Sequence, residues 1–381
     1  MIEKASFFAL VQEASRNRES YVQQAKSKVV RWEYTEGDRY AIPPFWFERN
    51  LEPQAPLLDS EDGTVAYGFD VDGHVCYVQW IIEECFDREN DRLINRRYQN
   101  GSLDSIEVVQ IADDKPVHYT EFIVRNGTEP GQEWHFEEKY QYDHDRLTTI
   151  LRREYWNAGQ DERRQEFTLT YDGEGALFSI YKDGSHHYQV FQEEQVRELR
   201  EKVKKELIIA SEQAMKRIGL KIGDETLCFV AIYLHDEPEA VIAPVFQPGV
   251  QRIRDEQLLE GEGPAGLWNS GEHPVSYQDD PEDDKLKEPF HLLLAYWQVY
   301  SDWSNSLLRP VLPYGTWWGE AKALWQEVAM ELNRMDWKPY IRVTDLFVVF
   351  ADEEGFDVDG GDFEGSVPLE KILLLREAGL L

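Results

Sequence analysis

The densest group of candidate ligand residues is an acidic, glycine-rich stretch near the carboxyl terminus. Residues 352–362 read Asp-Glu-Glu-Gly-Phe-Asp-Val-Asp-Gly-Gly-Asp. Alternating carboxylates in such a loop could hold calcium, which prefers oxygen ligands. Counted from Asp357, however, an EF-hand needs Gly at the sixth position and Glu at the twelfth, where this chain has Asp362 and Pro368. The stretch therefore predicts a solvated acidic loop with no metal and no cofactor.

The short motifs of two common catalytic sites do not occur elsewhere in the chain. Neither the nucleophile elbow G-x-S-x-G nor the phosphate-binding loop G-x-x-x-x-G-K-[ST] is present. Cys76, Cys85 and Cys228 show no C-x-x-C spacing and lie in apolar strand contexts, which predicts inert, buried thiols. His186 and His187 are neighbours beside a predicted strand, where side chains point to opposite faces, so they are poorly placed to share one ion. We therefore assign no catalytic residue and favour a protein without enzymatic activity.

Composition and charge limit the classes of partner. The chain has 381 residues, enough for two domains, and its 12 Trp, 19 Tyr and 18 Phe are typical of a folded protein. The formal net charge is −33, from 73 acids against 40 bases. Such a surface repels nucleic acid and anionic lipid and attracts basic proteins. The same charge also promotes solubility, for which no partner is needed.

The sequence shows no sign of membrane insertion or secretion. No apolar run is long enough to span a bilayer. The apolar start of the chain carries Glu3 and soon meets Gln12 and Glu13, which is too polar for a secretory signal. We therefore expect no membrane association and a cytoplasmic location.

The chain is organised around a β-rich stretch, residues 65–192, in which one pattern recurs. Each unit has an aromatic strand end, a polar Asp or Gly turn and a following strand, and the units begin at Phe69, Tyr98, Tyr142 and Tyr171. The interval from Phe69 to Tyr98 and that from Tyr142 to Tyr171 are each 29 residues, about two strand-turn units. Alternation of apolar and charged residues along these strands predicts duplicated hairpins in an antiparallel sheet with one solvated face.

These units resemble the Tyr-Asp repeats of the Rhs family. The closest copies are Tyr142-Asp143 with Leu147 and Ile150, and Tyr171-Asp172-Gly173 with Leu177 and Ile180. The resemblance covers about a third of the chain. It implies a β-meander of hairpins, although four units are too few for the large shells that Rhs proteins build.

Helices frame this stretch on both sides. Residues 2–28 show an amphipathic helical pattern, and a helix from Gln192 to Gly219 marks the boundary between a first domain, residues 1–192, and a second, residues 193–381. In the second domain, the pattern of apolar residues predicts a hairpin of Leu227–Leu234 and Ala240–Phe246, two further helices, a strand over Ile341–Phe350 and a terminal helix. The fold class is therefore α+β: an N-terminal helix and an antiparallel meander, then a domain with a small sheet and several helices.

The second domain resembles an uncharacterised bacterial α+β domain family that is often associated with toxin-immunity loci. The matching segments are Leu227–Leu234 with His235-Asp236, the region of Trp268, Trp325 to Trp337, Asp345–Ala351, Ser366–Glu370 and Gly379–Leu381. The resemblance implies an immunity-like role and no catalytic residues.

These observations lead to three functional hypotheses. The first is a non-catalytic, acidic protein-binding module, such as an immunity protein that neutralises a basic toxin. The second is a hydrolase that uses carboxylates between the two domains, and the third is a structural scaffold. Trp dominates interface hot spots, so tryptophans near loop and helix ends are candidate partner-binding residues. Aspartates of the acidic loop are further candidates. Together the candidates are Trp268, Trp317, Trp318, Asp357, Asp359 and Asp362.

Overall fold

The computed structural model describes most of the chain, and it has the predicted α+β architecture. The described residues are 4–59, 61–89, 91–124, 134–156, 161–281, 283–301, 316–353 and 362–381. Two compact units are present, the first ending at Val190 and the second beginning at Phe191. This division falls close to the boundary after residue 192 that the sequence predicts.

The first unit combines N-terminal helices with one antiparallel sheet. Two helices, α1 (Lys4–Arg16) and α2 (Arg18–Lys28), occupy the range of the single helix predicted over residues 2–28. They are separate because Asn17 leaves the helical backbone region, with φ −111° and ψ 22°. A short helix, α3 (Trp46–Asn50), follows the first strand.

The strands of the first unit are arranged almost entirely in sequence order. They are β1 (Arg31–Thr35), β2 (Leu57–Leu58), β3 (Val65–Phe69), β4 (Val75–Gln79), β5 (Ile82–Glu89), β6 (Arg92–Gln99), β7 (Ser102–Ala112), β8 (Lys115–Ile123), β9 (Trp134–Asp143), β10 (Arg146–Trp156), β11 (Asp161–Tyr171), β12 (Leu177–Lys182) and β13 (Ser185–Gln189). Within the described residues they form one thirteen-stranded sheet, in which each strand from β3 to β13 pairs with the next. The predicted meander is confirmed.

Turn chemistry explains why successive strands pair. Asn100-Gly101 and Asp113-Asp114 each place two residues at positive φ, between 50° and 81°, and Asp183-Gly184 does the same with 51° and 80°. Such two-residue turns match the right-handed twist of the flanking strands, and Asn, Asp and Gly tolerate them best.

The two faces of this sheet differ in polarity. One face is apolar and packs against α1 and α2, where Ile94, Tyr98 and Ile106 meet Ala14 and Ala25 in one buried cluster. The Tyr98 hydroxyl also donates to the Ala14 carbonyl oxygen at 3.2 Å. The other face carries charged side chains, which must find partners if they are to be buried.

Residues 36–56, which join β1 to β2 and include α3, supply partners on the polar face; we call them the covering segment. Its Arg49 side chain is fully buried and donates two hydrogen bonds to Glu138 on β9, at 2.8 and 3.1 Å. His187 on β13 pairs with the Arg49 carbonyl oxygen at 2.9 Å. Elsewhere in the segment, the Arg39 amide donates to the Tyr67 hydroxyl on β3. Because β3 and β13 are ten strands apart in the meander, the sheet must curve around this segment.

The second unit is built on a small mixed sheet. Its elements are α4 (Glu193–Ile222), β14 (Leu227–Leu234), α5 (Pro238–Ile242), β15 (Val245–Val250), α6 (Gln251–Glu260), α7 (Pro264–Leu267), α8 (Asp284–Tyr300), α9 (Trp317–Leu332), β16 (Val343–Glu353), α10 (Asp362–Ser366) and α11 (Leu369–Glu377). The strand order is β15-β14-β16, and β14 is antiparallel to β15 but parallel to β16. A continuous apolar sequence suits β14 because this central strand is covered on both faces.

Separate apolar clusters cover the two faces of this sheet. On one side, Leu207 of α4, Phe290 of α8 and Trp325 of α9 belong to the largest buried cluster. On the other side, Phe229 and Trp268 pack together with residues of β16, α10 and α11. Among the described residues, no helix combines the length and apolar character that crossing a membrane requires.

One predicted strand of the second unit is wrong in its bounds. The structure places helix α5 over Pro238–Ile242, and the strand that pairs with β14 begins only at Val245. Pro238 occupies the first turn of α5, where its missing N–H leaves no hydrogen bond unmade. The predicted antiparallel pair is present, but its second strand lies further along the chain than Ala240–Phe246.

The buried ion pair between the covering segment and the sheet leads to a stability prediction. Arg49→Met leaves the buried Glu138 carboxylate with only the more distant Arg152 guanidinium, at 3.9 Å, so the free energy of unfolding should fall by about 3 kcal/mol. The control is Arg153→Met, whose side chain is 42% exposed and 3.7 Å from Glu162, and which should cost less than about 1 kcal/mol. Urea unfolding measures both, and equal losses in the two variants would contradict the role assigned to Arg49.

Candidate functional site

Alternate turns of the meander bring acidic residues together at one end of the sheet. In an antiparallel meander, the turns after β3, β5, β7, β9 and β11 share one end. The acids in and beside these turns, which we call the acidic rim, are Asp70, Asp72, Glu89, Asp91, Asp113, Asp114, Asp143, Asp145, Asp172 and Glu174. With neighbouring strands about 4.8 Å apart, the rim follows the sheet for on the order of 40 Å.

The rim is strongly unbalanced in charge. All of its acids except Asp70 are exposed. The permanently charged bases in and beside the same turns are Arg88, Arg92, Lys115 and Arg146. Within the described residues, the turns at the opposite end carry Trp80-Ile81, Asn100-Gly101 and Asp183-Gly184. Asp161 and Glu162 begin β11 at that opposite end, beside a turn outside the described residues. Among the described turns, most acids nevertheless lie at the rim.

Two turns of the rim share one hydrogen-bond pattern. In each, one carboxylate is bound to the backbone of its own turn and another is exposed to solvent. Asp70 Oδ1 accepts the backbone N–H groups of residues 72 and 74, and Asp172 Oδ1 accepts those of residues 174 and 176, all at 2.9–3.0 Å. These first carboxylates hold their turns. Glu174 and Asp72, two positions later, are exposed, and no hydrogen bond or ion pair of their side chains appears in the described structure.

One rim turn also gathers potential metal ligands. Asp70, Asp72 and His74 each offer one ligand atom, and these atoms lie within 4.8 Å of one another. However, Asp70 Oδ1 already accepts two backbone hydrogen bonds, and the turn is largely exposed. We assign no metal to it, since exposed acidic turns are common without one.

A second group of carboxylates lies on the polar face of the same sheet. Asn95 Nδ2 donates to Glu84 at 2.7 Å and to Glu107 at 2.6 Å, and the Tyr119 hydroxyl donates to Glu107 at 2.7 Å. Glu121 faces the Tyr119 hydroxyl at 3.4 Å. These residues form the buried carboxylate cluster. It holds three carboxyl groups within reach of one another.

Among the described residues, the guanidinium of Arg97 is the one within ion-pair distance of this cluster. Arg97 lies 3.5 Å from Glu84 and 3.6 Å from Glu121. Burial, together with the Glu107 charge, raises the pKa of Glu121 to about 8, and burial raises that of Glu84 to about 7. Glu84 keeps 22% of its side chain exposed and Glu121 only 8%, so water screens the charge of Glu84 more than that of Glu121.

The second unit contains a polar cleft. It has a volume of about 390 Å³ and lies where parallel β14 and β16 end. Its lining residues are Tyr233, His235, Val245, Gln247, Asn269, Ser270, Gly271, Gln278 and Asp352. Ligand sites of open sheets with parallel strands favour the carboxyl ends of those strands, so this position is suited to a small ligand.

The walls of the cleft are hydrogen-bonded to one another. Gln278 Nε2 donates to Gln247 Oε1 at 2.5 Å, and the Asn269 carboxamide oxygen accepts the Gly271 N–H at 3.0 Å. The Tyr233 and His235 rings are in edge contact, 4.7 Å apart. Asp352, buried on β16, supplies a carboxylate. The cleft thus combines one carboxylate and one imidazole with neutral amides.

The structure disperses the predicted partner-binding residues. Trp268 is completely buried, and its Nε1–H donates to the Leu380 carbonyl oxygen at 2.7 Å, so it presents no surface to a partner. Trp317 and Trp318 begin α9 and pack half-buried against the main core. Asp357 and Asp359 lie outside the described residues.

Asp362 is the first residue of α10. Of the predicted residues that the structure describes, Trp268, Trp317, Trp318 and Asp362, none belongs to the rim or lines the cleft.

The sequence holds a signal for the rim, but strand pairing is needed to interpret it. Tyr142 and Tyr171 end or nearly end β9 and β11 and lie at the same end of the sheet. Phe69 and Tyr98, although also 29 residues apart, are separated by three strands, because β4 has only five residues. Their turns therefore lie at opposite ends. The prediction of two strand-turn units holds only for the second interval.

Motif reading also overlooked one glycine pattern. Gly261, Gly263 and Gly266 have the G-x-G-x-x-G spacing of dinucleotide-binding turns. That fingerprint requires a preceding strand, whereas here Gly261 caps α6 with a φ of 80° and α7 follows at Pro264. The pattern is a turn between two helices, and we assign no nucleotide to it.

Comparison with known proteins gives no further guide: no family model matches the chain, and no curated protein matches it significantly.

The buried carboxylate cluster predicts how stability depends on pH. Because the pKa of Glu121 is raised to about 8 in the folded state, the native protein holds a proton that the unfolded chain releases near its ordinary pKa. The free energy of unfolding should therefore fall as pH rises from about 5 to about 8, by up to about 1.4 kcal/mol per pH unit for one proton. Urea unfolding across this range measures the slope.

The variant that tests this assignment is Glu121→Gln, which removes the titrating group and should flatten the slope. Glu174→Gln makes the same charge change at an exposed turn position and should leave the slope as in the wild type. An undiminished slope in Glu121→Gln would show that the pH dependence arises elsewhere.

Proposed function

We propose that this chain is a non-catalytic binding module that recognises a basic protein through its acidic rim. The observation that carries this proposal is the alignment of five acidic turns at one end of the first unit's sheet. The net charge of −33 supports it, since the whole molecule attracts a basic partner.

The chemistry of the rim suits a protein surface better than a small ion. Its carboxylates are distributed along the sheet, so a partner must offer several Lys or Arg side chains over a comparable length. Exposed charge pairs contribute little individually, but together they steer association and set its specificity. Rigid hairpins position the charges before binding, which limits the entropy lost when a partner docks.

The biological setting that we propose is an immunity-like role in the cytoplasm. The resemblance of residues 193–381 to a domain family associated with toxin-immunity loci motivates it. A basic toxin would then be the partner, and neutralisation would require no chemistry from this chain.

The rim can be tested by matched neutralisation of carboxylates. The rim variant carries Asp72→Asn, Asp114→Asn, Asp143→Asn and Glu174→Gln. The control variant changes the charge equally at exposed positions of the second unit, with Glu194→Gln, Glu198→Gln, Glu201→Gln and Glu260→Gln. Asp70 and Asp172 are kept because their side chains hold their turns.

Each tagged protein is used to capture partners from the native organism at low and at raised salt. Wild type and control should retain a stoichiometric basic protein at low salt and lose it at raised salt, because salt screens exposed charges. The rim variant should bind that protein at least about tenfold more weakly, the sum of four pairs of a few tenths to 1 kcal/mol each. Capture that is equal in rim and control variants, or no basic partner at either salt, would refute the proposal.

A second candidate function is favoured by the cleft of the second unit. The hydrolase hypothesis needs carboxylates in a pocket, and this cleft is lined by the buried Asp352 and by His235. A carboxylate and an imidazole are the usual groups for activating water by general base catalysis. We place this candidate second because the cleft shows no assembled nucleophile, base and oxyanion stabiliser among its described residues.

A substrate panel tests the hydrolase candidate. Chromogenic esters, glycosides and phosphoesters are incubated with the purified full-length chain. If the cleft is catalytic, Asp352→Asn should lower the rate at least about 100-fold. Asp345→Asn, on the same strand with a 91% exposed side chain, should have no effect. Absence of turnover, or equal rates in both variants, would eliminate this candidate.

A further inference from the structure

Helix α6 carries a buried arginine without an acidic partner. Arg254 is 1% exposed, and its guanidinium lies 4.9 Å from the centroid of the Trp268 ring. Its Nη2 donates a long hydrogen bond of 3.3 Å to Gln251 Oε1. Within the described chain, its Nε and Nη1 have no hydrogen-bond partner, and no carboxylate lies within ion-pair distance. A cation removed from water in this way is costly unless something else compensates its charge.

A second donor without a partner lies in the same region. His273 is 3% exposed, and its Nδ1 accepts the Val250 N–H at 3.1 Å. An imidazole nitrogen that accepts a hydrogen bond carries no proton, so in the neutral ring the proton resides on Nε2. Burial and the Arg254 charge lower the pKa of His273 to about 4, which keeps the ring neutral. Its Nε2–H has no acceptor among the described residues.

The two donors border one aromatic cluster. The Phe229 ring is 5.1 Å from the His273 ring and 5.5 Å from the Trp268 ring, against which Arg254 stacks. The Cys228 sulfur lies within hydrogen-bonding reach of the Arg254 guanidinium, but burial raises the pKa of this thiol to about 11, so it remains protonated and provides no counter-charge.

One more polar group is unsatisfied on the same helix. Gln257, one turn beyond Arg254, has a buried Oε1 without a partner in the described structure. The two orientations of a carboxamide differ by exchange of oxygen and nitrogen, and turning this one would present N–H donors instead. The neighbourhood therefore contains a buried positive charge and several hydrogen-bond donors, and among the described residues no carboxylate within ion-pair distance of that charge, although Asp255 next to it acts at longer range.

We propose that Arg254 and His273 bind a small inorganic anion of halide size inside the second unit. Such an anion accepts hydrogen bonds from the guanidinium Nε and Nη1 and from the imidazole Nε2–H, and it compensates the buried charge. Its size is limited because both side chains are almost completely buried. The anion links α6 to the segment that carries Trp268 and His273, so it stabilises the fold of this unit. The site is independent of the acidic rim.

Chloride dependence at constant ionic strength tests this site in the full-length protein. Sodium gluconate, whose organic anion is too large for the site, is exchanged stepwise for sodium chloride while Tm is measured. The wild-type Tm should rise by about 2 °C or more and then saturate, as expected for a ligand that binds only the folded state. Arg254→Met should lose this rise. Arg252→Met, on the same helix with a 57% exposed side chain, should retain it.

Two further measurements make the result independent of whether Arg254→Met folds. In His273→Phe, the chloride concentration at the midpoint of the rise should increase at least about tenfold, because one donor is lost. Crystals of the wild type grown in sodium bromide should show an anomalous peak within hydrogen-bond distance of Arg254 Nε or Nη1. A wild-type Tm that does not respond to chloride, or a water molecule at that position in place of bromide, would overturn the proposal.

Discussion

The first unit depends on one constraint, the antiparallel pairing of each strand with the next along the chain. This pairing places alternate turns at the same end of the sheet, and alternate side chains of each strand on the same face. The acidic rim is a direct consequence of the first effect. The second effect produces two different faces. The apolar face packs against two helices, and the polar face packs against the covering segment. Local turns with Asn, Asp and Gly at positive φ make such pairing possible without long connections.

The polar face shows two ways in which a fold can hold charge away from water. Arg49 and Glu138 are both fully buried, and two hydrogen bonds between them pair the opposite charges. In the cluster around Arg97, burial first and the Glu107 charge second raise the pKa of Glu84 to about 7 and that of Glu121 to about 8. The second unit shows the opposite imbalance at Arg254, which has no carboxylate within ion-pair distance in the part of the chain that the structure describes.

The protein offers two features for recognition, the acidic rim of the first unit and the cleft of the second. The rim is a long, shallow feature built from repeated hairpins, which suits a protein partner. The cleft is a compact feature at the ends of parallel strands, which suits a small ligand. The two features use different residues, and they can be tested separately.

The sequence by itself determined the α+β class and the meander, because aromatic, Asp and Gly residues repeat at strand-length intervals and these residues favour tight turns. It also determined the net charge, and with it the expectation of a basic partner. Only the tertiary structure decided which turns share an end, as the unequal strand content of the two 29-residue intervals shows. Trp268 is a core residue and Asp352 lines a cleft. Both placements depend on contacts between segments that are distant in sequence. Spacing along the chain carries no information about such contacts.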